Sequence, residues 1–296
     1  MTDPVARSRL WHHVRGSLRL DAPVVMAVLN VTPDSFHDGG SLTRGRDVDL
    51  DRVRARAEAA VEAGAGLLDI GGESTRPGAD PVDVDEERAR VVPAIEAVAS
   101  LGVPISVDTR RAAVAEAALE AGAVIVNDVS GLQDPQMIPV IARFRAGVAI
   151  GHLRGEPKTM QADIGFENLL REVSDELGAA MRRAERGSVP RGHIVVDPGI
   201  GFGKRPRQSA ALVACGATLQ ARLGVPVMIG ASRKSFIGAV VSSPTQARLP
   251  GSLVAAVLAV HHGAAVVRVH DVAETVQALA VAREIEAAYA EAEEGT

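Results

Sequence analysis

The most constraining feature of this chain is a repeated alternation. A short run of β-branched or aliphatic residues stops at a hydrogen-bonding side chain or a glycine, and a stretch with helical spacing follows. The run 24–29 stops at Asn30, and Leu67-Leu68-Asp69-Ile70 leads into Gly71-Gly72-Glu73. Residues 105–107 stop at Asp108, 124–126 at Asn127, 148–150 ahead of Gly151 and His152, and 194–196 at Asp197. Residues 225–229 stop at Gly230, and Val266-Val267 leads to Arg268. Short apolar runs of this kind mark strands buried on both faces, and parallel neighbours need a crossover between them. The crossovers carry one apolar face each, as in Val53, Ala57, Ala60 and Val61, or Val91, Val92, Ile95 and Val98, with Gly64, Gly102 and Gly122 as stops. Asp134-Pro135 reads as an N-cap followed by proline at the first helical position. A doubly wound sheet shares the alternation, but eight strand–helix units favour closure. The expectation is an α/β chain folded as a (β/α)8 TIM barrel. It forms a single domain over 1–296, with a polar lead-in at 1–20 and a frayed tail at 290–296.

Composition narrows the partners. Hydrophobic residues make up 47% of the 296, yet aromatics only 2%, so the core is built from Ala, Val, Leu and Ile. Lys plus Arg number 32 against 37 Asp plus Glu, a net charge of −5 with no long basic run, which argues against nucleic acid. The one cysteine, Cys215, excludes an internal disulfide and reads as a small buried hydrophobe. The first 20 residues lack the apolar core of a secretory signal. The most apolar region, 253–269, is broken by His261, His262, Gly263 and Arg268, too short for a membrane span. A soluble, cytoplasmic protein is expected.

Parallel barrels carry chemistry at the C-terminal ends of their strands. Here those ends bear Asn30, the Glu73 loop, Asp108, Asn127, His152, Asp197, Lys234, Arg268 and His270. Asp108, Asn127 and Asp197 suit a flat heterocycle rich in N–H donors, because a carboxylate takes two parallel donors and an amide both gives and accepts. Lys234 would donate to a ring carbonyl or nitrogen. Arg76, Arg268 and His270, with the amides near Gly71 and Gly72, form a group for phosphate or diphosphate. Ser235 opens a helix after a strand and suits a carboxylate. Phosphate beside Asn30 leaves room for Mg²⁺, which prefers oxygen ligands. Phe36 and Phe202 sit in loops, where each either packs beneath the loop or flanks a planar ligand. His152 reads as a pocket wall; His12, His13, His261 and His262 read as surface or helix-end residues. No His/Cys metal spacing and no Ser-His-Asp order are present.

Six stretches together resemble one family. They are Asn30-Val31-Thr32-Pro33-Asp34-Ser35-Phe36, Gly71-Gly72-Glu73-Ser74-Thr75-Arg76-Pro77-Gly78 and Asn127-Asp128-Val129-Ser130-Gly131, then Asp197-Pro198-Gly199-Ile200-Gly201-Phe202-Gly203-Lys204, Ser232-Arg233-Lys234-Ser235 and Arg268-Val269-His270-Asp271. In this order they are similar to the dihydropteroate synthases, across nearly the whole chain. The resemblance implies condensation of 6-hydroxymethyl-7,8-dihydropterin diphosphate with 4-aminobenzoate, giving 7,8-dihydropteroate and diphosphate through a pterin cation. It implies that Asp108, Asn127, Asp197, Lys234 and Arg268 hold the pterin, with Asp108, Lys234 and Arg268 taking part in the chemistry. Asn30, Thr75, Arg76, Arg268 and His270 would take the diphosphate, with Mg²⁺ at Asn30. Phe36, Pro77, Phe202 and Ser235 would hold 4-aminobenzoate. A cytoplasmic homodimer sensitive to sulfonamides is implied as well. The chain departs from the family at Gly151, where Met is usual, and at Ser209, where Asn is common. A corrinoid methyltransferase on the same barrel would not need Arg76, Arg268 and His270. A non-catalytic pterin-binding barrel would not keep the two loop motifs.

Overall fold

The computed structural model describes residues 10–32, 42–44, 47–74, 78, 80–156, 158–162 and 164–294. A hairpin of β1 (Leu10–His13) and β2 (Gly16–Arg19) comes first. The barrel strands are β3 (Val24–Asn30), β6 (Leu67–Gly71), β7 (Ile105–Asp108), β8 (Ile125–Asp128), β9 (Gly147–Gly151), β10 (Ile194–Asp197), β11 (Met228–Ile229) and β12 (Val266–Val269). Between β3 and β6 a minor pair, β4 (Thr43–Arg44) and β5 (Asp47–Val48), precedes α1 (Leu50–Glu62). The later crossovers are α2 (Val84–Val98), α3 (Ala112–Ala121), α4 (Met137–Phe144), α5 (Leu169–Arg186), α6 (Pro206–Val213), α7 (Gly216–Leu223), α8 (Ser235–Val241) and α9 (Leu249–His261); α10 (Val272–Glu294) closes the chain.

The eight barrel strands pair in the order β10-β9-β8-β7-β6-β3-β12-β11, all parallel. One parallel bridge, Val196 to Val227, joins β10 to the segment before β11, with the Val196 amide donating to the Pro226 carbonyl at 3.1 Å. The ring is therefore a nearly closed TIM barrel, thinnest at the seam where Pro226 has no amide to offer.

Side chains alternate across each strand. Met26, Leu67, Ile125, Ala149, Val195, Met228 and Val266 form one buried cluster with Trp11 and Leu20. Their neighbours Val25, Ala27, Leu68, Ile70, Val107, Val126, Val148, Val196 and Val267 join a larger cluster with the apolar faces of the helices. The first set fills the inside of the barrel near the strand starts, so the inward residues two and four places later stand at the opposite mouth.

Three boundaries differ from the sequence reading. Residues 10–19 are a hairpin rather than a lead-in, and Trp11 is fully buried, its Nε1 donating to the His193 carbonyl at 2.9 Å. The tail at 290–294 continues α10 instead of fraying before it. Asp134 does not begin α4, whose N-cap is Gln136; its carboxylate takes the Gln136 amide at 2.9 Å and the Ala112 amide at 2.8 Å, so it caps the start of α3 across the loop. Cys215 is 2% exposed and burial pushes its thiol up to about 12, as a buried hydrophobe requires. Among the described residues no helix is long and apolar enough to cross a membrane.

Trp11 closes the end of the barrel remote from the polar mouth. Trp11→Ala is expected to lower stability by about 3–5 kcal/mol in urea unfolding, since it opens a large cavity, while ligand affinity of the remaining folded protein stays unchanged.

Candidate active site

The register that packs the floor also builds the mouth. Asn30 pairs with Gly71, Gly71 with Asp108, and Asp108 with Asn127, while Asp197 pairs with Gly151. Asn30, Gly71, Asn127, Gly151 and Asp197 lie two or four places beyond an inward apolar residue of their own strand, and Asp108 lies two places beyond the buried Ser106. Arg268 follows Val266 by two and so enters the same space.

At the centre lies a charge cluster. Arg268 donates from Nε to Asp69 Oδ2 at 2.6 Å and from a terminal nitrogen to Asp108 Oδ2 at 2.6 Å. Asn127 Nδ2 donates to the same Asp69 oxygen at 3.0 Å. Asp69 is 0% exposed and Asp108 6%, and the second oxygen of each carboxylate is buried without a hydrogen-bond partner among the described residues. Such oxygens fit N–H donors of a ligand. Burial pushes Asp108 up to about 7; Arg268 opposes that shift, and Asp69 adds to it. The two carboxylates hold Arg268 charged against its own desolvation and raise its pKa. A Cβ at Gly71 would lie 3.4 Å from Asp108 Cβ and 3.6 Å from Asn30 Oδ1, so the absent side chain leaves these two polar groups a shared space.

Asp197 stands on the far side. Its Oδ1 accepts the Gly199 amide at 2.7 Å. Burial raises its pKa, while that amide, Lys234 and Arg268 pull it down. Gly230 separates Asp197 from Arg268; a Cβ there would be 3.8 Å from both. Lys234 Nζ lies 4.2 Å from the centre of the Phe202 ring, a cation–π contact at the loop after β10. That loop demands glycine. Gly199 has φ +69°, and a Cβ on it would fall 1.9 Å from the His152 carbonyl oxygen. Ser209 is 2% exposed and accepts the Gly201 amide at 3.2 Å, so it pins the same loop. At Gly151 a Cβ would fall 2.6 Å from Val129 Cα, so in this chain the backbone after β8 packs closer to β9 than a side chain at this position allows.

Around the rim, Ser232 Oγ lies 3.1 Å from His270 Nδ1 and accepts the His270 amide at 3.3 Å. Arg233 turns to Asp271, at 3.0 and 2.5 Å, and so clamps two loops. Ser235 is exposed at the first turn of α8. Glu73 accepts the Val82 amide at 3.1 Å and receives Arg110 and Arg111 at 3.0 and 2.8 Å. Phe36, Thr75, Arg76 and Pro77 lie outside the described residues. Among the described residues no three His, Cys, Asp or Glu groups converge to hold a metal alone. Asn30 Oδ1 beside Asp108 Oδ2 nevertheless offers hard oxygen donors of the kind Mg²⁺ takes along with waters and phosphate.

Asp108, Asn127, Asp197 and Arg268 thus meet at one mouth, with Asn30, Lys234 and Phe202 at its edge. Sequence reasoning passed over Asp69, although a carboxylate inside an apolar run was the signal. It also gave no role to Lys204 or Ser232.

Residues 26–270 match the family model described as pterin binding enzyme. The chain is 42% identical over 260 residues to the dihydropteroate synthase of Neisseria meningitidis, covering 86% of this chain and 90% of that one. The chain belongs to the dihydropteroate synthases. It superposes on the Yersinia pestis dihydropteroate synthase, crystallised as a sulfonamide drug complex, with a TM-score of 0.88 at 38% identity, covering 94% of this chain and 99% of that one. A probable bifunctional folylpolyglutamate synthase/dihydropteroate synthase of Haloferax volcanii is 45% identical over 82% of this chain, which spans 28% of that longer protein's length.

Removing Asp69 leaves Arg268 with one buried partner fewer and frees the Asn127 amide. Asp69→Ala is expected to cost about 3–5 kcal/mol in denaturant unfolding, whereas Asp69→Asn, which keeps an acceptor oxygen, costs clearly less.

Proposed function

We propose that this protein condenses 6-hydroxymethyl-7,8-dihydropterin diphosphate with 4-aminobenzoate to form 7,8-dihydropteroate and diphosphate. The observation that carries this reading is the buried cluster of Asp69, Asp108, Asn127 and Arg268, in which one oxygen of each carboxylate has no hydrogen-bond partner among the described residues, with Asp197 at the end of another strand of the same barrel. A pterin presents a guanidine-like N–H edge that matches these acceptors, and its ring carbonyl or nitrogen would meet Lys234.

In this reading the C–O bond to diphosphate breaks first and leaves a pterin methyl cation. Asp108 lies against the ring, and a cation beside it favours its ionised form despite burial. A fixed charge placed where charge develops lowers the barrier without reorganisation. Arg268 lies along the ring and, with His270, Thr75 and Arg76, takes charge from the departing diphosphate. Asn30 would hold Mg²⁺ through its side-chain oxygen, and the ion would neutralise the leaving diphosphate. The neutral arylamine then attacks the cation and releases one N–H proton to water as the C–N bond forms, so no protein nucleophile is required. Phe202, with Phe36 and Pro77, would flank the ring of 4-aminobenzoate, and Ser235 its carboxylate. A sulfonamide resembles that second substrate and would compete with it.

A homodimer is part of the proposal. Val254 and Leu258 on α9 and Val281, Ile285 and Tyr289 on α10 are exposed on neighbouring helices at four-residue spacing, an apolar stripe suited to a second copy. The buried unreactive cysteine and the lack of a membrane-spanning helix among the described residues fit a cytoplasmic enzyme.

Purified protein given pterin diphosphate, labelled 4-aminobenzoate and Mg²⁺ is expected to yield labelled dihydropteroate. Pterin binding without product would leave a non-catalytic pterin-binding barrel. Asp197→Ala is expected to abolish pterin binding and Ser235→Ala to raise mainly KM for 4-aminobenzoate; the reverse pattern overturns the assignment of the two pockets. Sedimentation is expected to read a dimer that Ile285→Glu converts to monomer.

A further inference from the structure

Lys204 is 3% exposed, yet its ammonium position is ringed by neutral acceptors. Nζ lies 2.9 Å from His152 Nδ1, 2.9 Å from the Phe202 carbonyl oxygen and 3.3 Å from the His152 carbonyl oxygen. An ammonium has three protons and no lone pair, so the three acceptors match the charged form one for one, while a neutral amine brings one proton too few. With Nδ1 accepting, the His152 ring proton sits on Nε2, 3.0 Å from the Glu176 carboxylate. Burial keeps the His152 pKa below its ordinary value, so that ring stays neutral. Arg154 holds the outer side of Glu176 at 3.0 Å.

This buried chain ends at the substrate site. Lys204 fixes the carbonyl of Phe202, whose ring faces Lys234 and packs with Val129, Leu153 and Met160. His152 grips the same loop twice: its carbonyl presses on Gly199, and its amide donates to the Asp197 carbonyl at 3.0 Å.

We propose that Lys204 is a positioning residue: through His152 and the Phe202 carbonyl its ammonium locks residues 199–203, and so sets the affinity for 4-aminobenzoate. The proposal rests on the function proposed above. Every charge facing Lys204 bears on its protonation. Burial lowers its pKa most, Asp197 on β10 and Glu176 on α5 raise it, and Arg154 after β9 and Lys234 before α8 lower it, leaving it at about 7. The locking form is present below that pH and is lost as pH rises through it. The phenyl ring of Phe166, 6.0 Å from Nζ, adds no titrating group.

Initial rates at saturating pterin diphosphate, with 4-aminobenzoate varied between about pH 6 and pH 9, test this. In the unmodified protein KM for 4-aminobenzoate is expected to rise several-fold above neutrality; saturating pterin diphosphate keeps the ionisation of Asp108, which falls in the same range, out of that reading. Lys204→Met is expected to raise that KM about tenfold at all pH values, change kcat by less than about threefold and abolish the pH dependence. Glu176→Gln, at a half-exposed position, keeps an acceptor for His152 but removes a charge that supports the ammonium, so the rise is expected at lower pH. It serves as the deciding variant where Lys204→Met does not fold. A pH-independent KM in the unmodified protein, an unchanged KM in Lys204→Met, or an unshifted rise in Glu176→Gln overturns the proposal. Should the unmodified protein form no dihydropteroate, the functional reading fails separately. Calorimetric titration of 4-aminobenzoate onto protein loaded with pterin and diphosphate then reads the same pH dependence without turnover.

Discussion

The interaction on which the rest depends is the buried pairing of Arg268 with Asp69 and Asp108. Three charged groups inside a barrel are unstable unless each is matched, and the desolvation of any one alone exceeds what packing nearby returns. The strands solve this by alternation. Arg268 and Asp108 each stand on the inner face of a separate strand, and Asp69 enters between them from a third. Because the apolar residues below are packed in the same register, a slip of one residue on any strand would move its polar group outward among the helices. The folding pattern and the site are consequently one constraint seen at two heights of the barrel.

Much of this was readable in the sequence because it is local. All eight apolar runs became strands, and Asp108, Asn127, Asp197 and Arg268 at their ends reached one mouth, since period-two alternation and the direction of parallel strands leave little choice, whereas His152 turned to Lys204 and Glu176 and Glu73 to Arg110 and Arg111. What escaped was long-range. Asp69 sat in an apolar run and looked like part of it; its meaning comes from Arg268, 199 residues away. Asp134 followed by proline carried a local cap signature, but its carboxylate reaches back to the amide of Ala112. Trp11 lay in a polar stretch, and only the barrel end above it gives the indole somewhere to go. Lys204 ended a recognised motif without any sequence neighbour to explain its burial, because its partners include a carbonyl and ring nitrogen from His152.

The loop after β10 shows how backbone freedom and side-chain chemistry are divided. Gly199 is there because the His152 carbonyl occupies the place of a side chain, and that contact lets the loop amide reach Asp197. Ser209 and Gln161 hold Gly201 from two directions, through its amide and its carbonyl. A segment rich in glycine is thereby made stiff by its surroundings rather than by its own sequence.

The thin seam between β10 and β11 has a further meaning. Asp197 stands at the end of one bordering strand, and Lys234 follows the other, so a single molecule touching both side chains spans the weakest joint of the ring. Such a molecule acts as a staple supplied from outside. A pterin seated as proposed would be the last stave of this hoop, and the barrel would resist opening most while it is occupied.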